Sequence, residues 1–597
     1  MLFLNFFLKF SLFFLLICLS SEAEARLLPF LSQDTYRVRI EGEMAPDIKN
    51  LLLAVSETYA LKDRPIATPE MLRRRAANDI APMTRALRSE GFYKSEISSE
   101  MRTRGEIPEI IFHVKTGPAY LINEILIISE DTEPSVQHLP KPKDLNLVPG
   151  TRARAPEILK GVDLLKNFFR ERGTATPEVT LKTPVVRHSQ KTVDLHYTYK
   201  SEPISLFGDL SVEGTRRVKP LYVENRIPWR KGELFRASHL NRFRSQLMQD
   251  GLFAIVDIHH PPLPDEDLFL PVHVNLIERS PRTIKAGVFH EPDTGTGIKV
   301  DWEHRNLRGM GERLNQSFTF AERKKESKTE YRIPDFMDKR QSLRLSGWVG
   351  EEESQAYKSE EGAFGARIFR QLCPLWSAST GVQYRLSRTT QQDETKTFGL
   401  ISFPQELIRD QRNSILNPTK GMRVFWRVEP LRDTLDTDVW FLKLATGMSV
   451  HFPLIAEEKL IFSMRGSLGS IIGESNLSVP ADERFYAGGG GSIRGYSYKS
   501  IGPEEKGTVV GGRSMVETGG ELRWRMENNF GLVAFLDGGQ VFTSSELQLE
   551  DEFYWGAGLG LRYYTDFAPF RLDVAFPLNR RSQDDSFQIY ISIGQAF

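Results

Sequence analysis

Residues 587–597 read FQIYISIGQAF. Phe587, Ile589, Ile591, Ile593 and Phe597 fall on one side of an extended chain, with Gln588, Tyr590, Ser592 and Gly594 on the other. Side chains alternate across a strand, so this stretch predicts a ribbon with one apolar and one wet face. The same period recurs upstream. In ELRWRM (521–526), Leu522, Trp524 and Met526 oppose Glu521, Arg523 and Arg525. In RLDVAFPL (571–578), Leu572, Val574, Phe576 and Leu578 oppose Arg571 and Asp573. From about residue 283 onward this period dominates and helical spacing disappears.

A soluble sandwich and a membrane barrel share this alternation. Three features favour the barrel. The strand region covers about 315 residues, too many for one ordinary sandwich. Its outward candidates are often aromatic, as expected where a barrel meets the lipid boundary. The chain also ends on an aromatic inside its last strand, which suits closure of first strand onto last. At roughly 20 residues per strand and connection, about 16 strands fit. No stretch after residue 25 approaches the roughly 20 apolar residues of a membrane helix.

The first 25 residues form a separate class. Lys9 precedes the apolar run FSLFFLLICLSS, and Ala23-Glu24-Ala25 follows as an A-x-A cleavage signature, predicting a secretory signal peptide over residues 1–25. Its removal leaves one cysteine, Cys373, so the exported chain is expected to lack an internal disulfide. With 78 basic and 78 acidic residues there is no global charge that would draw nucleic acid.

Between about residues 34 and 280 the chain mixes strand and helix signals and repeats. Leu72, Ala76, Ile80, Met83 and Leu87 make one helical face, Ile158, Val162, Leu165 and Phe169 a second, and Leu240, Phe243 and Leu247 a third. Each is followed by a glycine suited to end a helix, at Gly91, Gly173 and Gly251, spaced 82 and 78 residues apart. A strand precedes each helical part and two follow it, giving β-α-α-β-β three times. HLPKPKDLNLVPG (138–150) makes a poor first helix for the second copy.

Signals for catalysis are weak. There is no GxxxxGK[ST] loop, no G-x-S-x-G elbow and no H-E-x-x-H pair. Gly556, Gly558 and Gly560 space like a dinucleotide loop but run into an alternating strand rather than a helix. His259-His260 has no second ligand cluster nearby in sequence, and reads as the end of a strand. No enzyme activity, cofactor or metal site is expected.

Four motifs remain: Ser492-Ile493-Arg494-Gly495-Tyr496 after four glycines; Phe535-Leu536-Asp537-Gly538-Gly539; IRDQRNSILNPTKG, with Arg409, Asp410, Asn417, Pro418 and Gly421; and the ending SIGQAF, with Ile593, Gly594 and Phe597. In this order they resemble the outer-membrane assembly-factor superfamily, whose members include BamA, TamA and the two-partner secretion transporters. The resemblance covers nearly the whole chain after residue 25. One departure stands in the last hairpin, where TDFAPF carries Pro569 alone instead of the usual Pro-x-Gly-Pro turn.

The resemblance implies a fold of three periplasmic POTRA units, at 26–117, 118–201 and 202–281, followed by a transmembrane antiparallel β-barrel over 282–597. Three units and the loop motif are closest to the TamA branch. It further implies an outer-membrane factor that inserts β-barrel clients such as autotransporters, through POTRA handover and a weak seam between first and last strands. The partner would be a TamB-like protein anchored in the inner membrane. Two alternatives stay open: phospholipid transport with that partner, and a secretion pore for one dedicated exoprotein. By the same resemblance the sixth outer loop folds into the lumen. Arg494 would pair there with Asp537, with Tyr496 wedged on the inner wall and the four glycines serving as slack.

Overall fold

The computed structural model describes residues 36–596, apart from 65–67, 105–106, 132–138, 202, 292, 436–438, 456–457, 527–528, 549, 551 and 567. The expected signal peptide and Phe597 lie outside the described residues. The chain forms two compact units. One holds most of residues up to 274; the other holds 275–597 with 212–226 and 246–256.

The N-terminal region contains three small mixed sheets. The first is built from β1 (Arg37–Glu41), β2 (Glu96–Arg104) and β3 (Ile107–Lys115), in the order β1-β3-β2. Helices α1 (Pro46–Val55), α2 (Glu57–Ala60) and α3 (Pro69–Ser89) intervene between β1 and β2. Thr68 caps α3 by accepting the Met71 N–H at 3.3 Å, Pro69 sits at its first turn, and Leu72, Ala76, Met83 and Leu87 are buried. Ile80, expected on that face, is only half-buried. Its neighbour Asp79 is buried instead, accepting the Ser56 hydroxyl at 2.6 Å and the Thr58 N–H at 3.0 Å, so it holds the start of α2.

The second sheet comprises β4 (Leu121–Ser129), β5 (Glu178–Leu181), β6 (Val185–Arg187) and β7 (Thr192–Lys200), covered by α4 (Ala155–Arg170). Where a first helix would lie there is only a 3-10 turn, Pro142–Leu145. Asn146, in the left-handed conformation at φ +56°, ends the turn after Leu145. Glu90, at the end of α3, receives Arg152 and Arg154, each at 2.8 Å, and so ties the first sheet's unit to the second. The third sheet, β8 (Leu206–Glu213), β9 (Phe253–His259) and β10 (Phe269–Glu278), runs β8-β10-β9, with α5 (Pro220–Glu224) and α6 (Ala237–Gln249) between β8 and β9.

One antiparallel sheet takes the rest of the chain. Its strands are β11 (Arg282–Glu291), β12 (Gly295–Arg305), β13 (Arg313–Ala321), β14 (Lys324–Ile333), β15 (Gln341–Glu353), β16 (Lys358–Cys373), β17 (Trp376–Gln391), β18 (Glu394–Ser402), β19 (Gln405–Asp410), β20 (Gly421–Asp433), β21 (Trp440–Pro453) and β22 (Leu460–Ile472). Two short loop strands, β23 (Glu504–Glu505) and β24 (Thr508–Val509), pair with each other. The sheet resumes with β25 (Ser514–Arg525), β26 (Phe530–Phe542), β27 (Tyr554–Tyr564), β28 (Pro569–Pro577) and β29 (Gln588–Ile593).

Of its seventeen strands, β18 and β19 both pair with β17 and β20, so they share one place in the sheet, interrupted at Phe403-Pro404. Pro404 has no N–H to give a ladder. Alternation sorts the two faces. Leu522 and Trp524 are 41% and 51% exposed, whereas Glu521 and Arg523 between and beside them are 1% and 0% exposed. The apolar face is therefore the outer wall, and the charged face lines the interior.

Candidate functional site

The long connection from β22 to β25, residues 473–513, folds back onto the interior face, and its motif is buried there. Arg494 is 0% exposed. Its Nε donates to Asp537 Oδ2 at 2.6 Å and its Nη2 to Asp537 Oδ1 at 3.0 Å, a two-point fork on β26. Nη1 reaches two further carboxylates, Glu521 on β25 at 2.7 Å and Asp573 on β28 at 3.1 Å. The guanidinium plane lies over the Phe535 ring, 3.6 Å from its centroid. Burial alone would lower the Arg494 pKa; Glu521, Asp537 and Asp573 outweigh it and raise the value.

Those carboxylates serve other cations as well. Glu521 also accepts from Arg523 at 2.7 Å, and Asp573 pairs with Arg562 and with Arg571. Four arginines thus surround Glu521 and Asp573. Asp537 differs from the other two acids. Beyond Arg494, its nearest cation is Arg465 at 3.8 Å.

The rest of the motif is equally tied. Ile493 is buried in the interior apolar cluster and lies over Gly539, where a Cβ would come within 3.2 Å of its Cδ1. The Gly495 N–H donates to the Tyr590 hydroxyl of β29 at 3.0 Å. Tyr496 donates its hydroxyl to the carbonyls of Trp555 and Asn579, at 3.1 and 3.2 Å.

The glycines before the motif are not slack, which corrects the expectation. Gly488 has φ +100° and a Cβ there would meet the Ser497 carbonyl oxygen at 2.5 Å. A Cβ on Gly490 would meet the Tyr590 ring at 2.9 Å, and the Gly490 N–H donates to Asp293 Oδ1 at 3.1 Å. Gly488 lets the loop backbone fold close on itself, and Gly490 lets it lie against the wall at Tyr590. Gly491 alone has open space around it.

The Arg409–Gly421 motif ends β19 and turns into β20. Arg409 pairs with Val424 across the ladder, and Asp410 holds Arg412 at 2.8 Å. The Pro418 carbonyl accepts from Arg523 at 3.3 Å, and Asn417 accepts from Gln595 at 3.2 Å, so this turn reaches the same buried charges and the end of the chain. Gly421 follows with its N-terminal neighbours folded close, a Cβ there falling 2.2 Å from the Gln411 carbonyl oxygen. Ile593 points outward, 56% exposed, and the Gly594 N–H donates to the Pro569 carbonyl at 2.8 Å.

Sequence reasoning missed the roles of Glu521, Asp573, Tyr590 and Asp293. It also missed a row of arginines. Arg305, Arg313, Arg332, Arg344 and Arg367 stand directly opposite one another on β12 to β16. Like charges in register repel. Glu303 offsets two of them, at 2.6 Å from Arg305 and 3.8 Å from Arg313, and Arg344 lies 3.9 Å over the Phe369 ring.

The sheet runs from β11 to β29, and among the described residues no ladder joins these two ends. They are spatial neighbours nonetheless. β29 pairs with β28 through six residues, Gln588 to Ile593.

Residues 306–597 match the Omp85 superfamily domain. Over 94% of its length the chain is 25% identical to the outer membrane protein assembly factor BamA of Nitratidesulfovibrio vulgaris, covering 73% of that protein. Over 47% of its length it is 26% identical to the sorting and assembly machinery component 50 homolog of Mus musculus, covering 64% of it. Its fold is shared with a crystal structure of BamA from Haemophilus ducreyi lacking POTRA domains 1–3, at TM-score 0.66 and 18% identity, over 80% of this chain and 100% of that one. Residues 306–597 thus form an Omp85 superfamily domain, built as an outer-membrane β-barrel, and the chain as a whole is similar to a BamA protein over 94% of its length.

Proposed function

We propose that this protein assembles other β-barrel proteins into the outer membrane, as the names of its BamA relatives describe for those proteins. The observation that carries this reading is the seam. β11 offers ten residues, Arg282 to Glu291, whose second edge has no described ladder partner. In lipid an unpaired edge is costly, so it favours pairing with an incoming strand. Client folding supplies the driving force and no nucleotide is needed. The three N-terminal units, taken as POTRA domains at 26–117, 118–201 and 202–281, would hand over extended clients along their own sheet edges. Within the superfamily we place the chain in the TamA branch, with autotransporters as clients and a TamB-like periplasmic partner. The Arg494–Asp537 contact would act as the latch that fixes the loop while the seam works.

The test is deletion of the gene, followed by profiling of outer-membrane proteins and of leaflet lipids. The expected result is loss of autotransporters with other envelope components near normal. Unchanged autotransporters with disturbed lipids would overturn this reading in favour of phospholipid transport. A photo-crosslinking residue at Val288, which is 82% exposed on β11, is expected to capture nascent barrel strands.

A further inference from the structure

At the foot of β11 and β12 the outer wall carries an open cavity of about 660 Å³ lined by Arg217, Arg282, His304 and Arg308. Arg282 and His304 are register partners, two residues from the register pair Ile284 and Trp302. Ile284 is 72% exposed, so this face is the lipid-facing one and the cavity lies at its N-terminal edge. Arg308 lies 5.8 Å from the centroid of the Tyr331 ring. Trp302 and Tyr331 thus flank the cluster on the apolar side, as aromatic side chains do at a membrane boundary.

Three observations point to an anionic ligand. None of the three guanidiniums has an ion pair among the described residues. The acids close by bind backbone N–H groups and not the guanidiniums: Glu312 accepts the Arg308 backbone N–H at 3.1 Å, and Glu278 accepts the Arg217 backbone N–H at 2.9 Å. Finally, His304, which lines the cavity, has its Nδ1 buried with no hydrogen-bond partner among the described residues. An unpaired polar atom and three cations at one spot favour a ligand rich in acceptor oxygens.

We propose that this cavity binds the phosphodiester headgroup of a phospholipid in the periplasmic leaflet, with its acyl chains lying along Ile284 and Trp302. The location selects a lipid over a soluble phosphate, because the cations border apolar wall exposed to acyl chains. The site does not depend on which client the barrel assembles.

The test uses the full chain in detergent micelles doped with phosphatidylglycerol, with bound lipid counted by native mass spectrometry. Removing one interfacial arginine is expected to weaken lipid affinity by roughly fivefold, so Arg282→Gln with Arg308→Gln should weaken it by about 25-fold. Arg340→Gln, on the turn between β14 and β15, should leave retention unchanged. Heat-modified gel mobility checks that each barrel is folded. Equal retention by the double variant and the parent would overturn the proposal, as would equal loss in Arg340→Gln. Displacement of the lipid by inorganic phosphate at matched concentration would assign the site to a free anion instead.

Discussion

Arg494→Ala leaves the surrounding acids in unequal states. Glu521 keeps Arg523 at 2.7 Å, and Asp573 keeps Arg562 and Arg571. Asp537 keeps only Arg465 at 3.8 Å, while its side chain stays 0% exposed. Breaking a buried pair so as to strand one charge costs roughly 3–5 kcal/mol. Asp537→Ala strands nothing comparable, because Arg494 retains Glu521 and Asp573. Arg494→Ala should therefore be the more damaging single change, and adding Asp537→Ala to it should recover part of the loss. The expected coupling is about 1.5–3 kcal/mol. A simple exchange, Arg494→Asp with Asp537→Arg, should not rescue, since it places a third carboxylate against Glu521 and Asp573. The assay is thermal unfolding of the purified barrel, read by heat-modified gel mobility, with trypsin cleavage of the 473–513 loop as a second readout. Additive losses in the double alanine variant, or full rescue by the exchange, would refute this account of the latch.

Gly490→Ala and Gly488→Ala should each loosen the loop by roughly 1–3 kcal/mol and expose it to trypsin, while Gly491→Ala should be silent. If all three behave alike, the glycines are slack after all. In the same loop, burial pushes the Glu483 pKa up, but Arg385 and Lys443 outweigh it and hold it at about 2, against 4.5 when free. Because the folded value is depressed, its contribution of roughly 3 kcal/mol is present above pH 4.5 and lost as pH falls towards 2. Pepsin cleavage of the loop should rise across that window, and Glu483→Gln should flatten the profile. Glu90→Ala should uncouple the first N-terminal unit from the second by leaving Arg152 and Arg154 without their shared acid, widening the distance distribution measured by double electron–electron resonance. Asp293→Ala removes the acceptor of the Gly490 N–H and should raise crosslinking from Val288, with no change in barrel melting.

Much of the barrel was legible because alternation needs only one residue and its neighbours. Arg494 and Asp537 were reached by the resemblance of their two motifs to a family pattern, not by alternation. Glu521 and Asp573 were visible only as inward polar residues. Their convergence on Arg494 depends on the register of β25, β26 and β28, which no single strand encodes. The arginine row escaped for that reason too: five separate strands each contribute one arginine to it, and only their pairing aligns them. The tightness of Gly488 and Gly490 was hidden because glycine reads as freedom in sequence, whereas here the nearby Ser497 carbonyl and Tyr590 ring exclude a side chain.

The two sides of the seam are built differently, and the interior charges give a physical reason. Behind β29 stands the loop: Gly495 and Tyr496 both bond Tyr590, and Arg494 is locked to β25, β26 and β28. Behind β11 lies an open space of about 500 Å³, lined by Lys285, Lys299 and Lys324 together with Glu291, Asp301 and Glu326. Past it run the aligned arginines of β12 to β16. The loop's Arg494 docks on the acids of the opposite wall, Glu521, Asp537 and Asp573. Among the described residues β29 is thereby braced from within, and the hairpin after β11 is held by the Gly490 to Asp293 bond. The two ends of the sheet therefore differ in what holds them: β29 rests on the docked loop through Tyr590, and β11 borders open space.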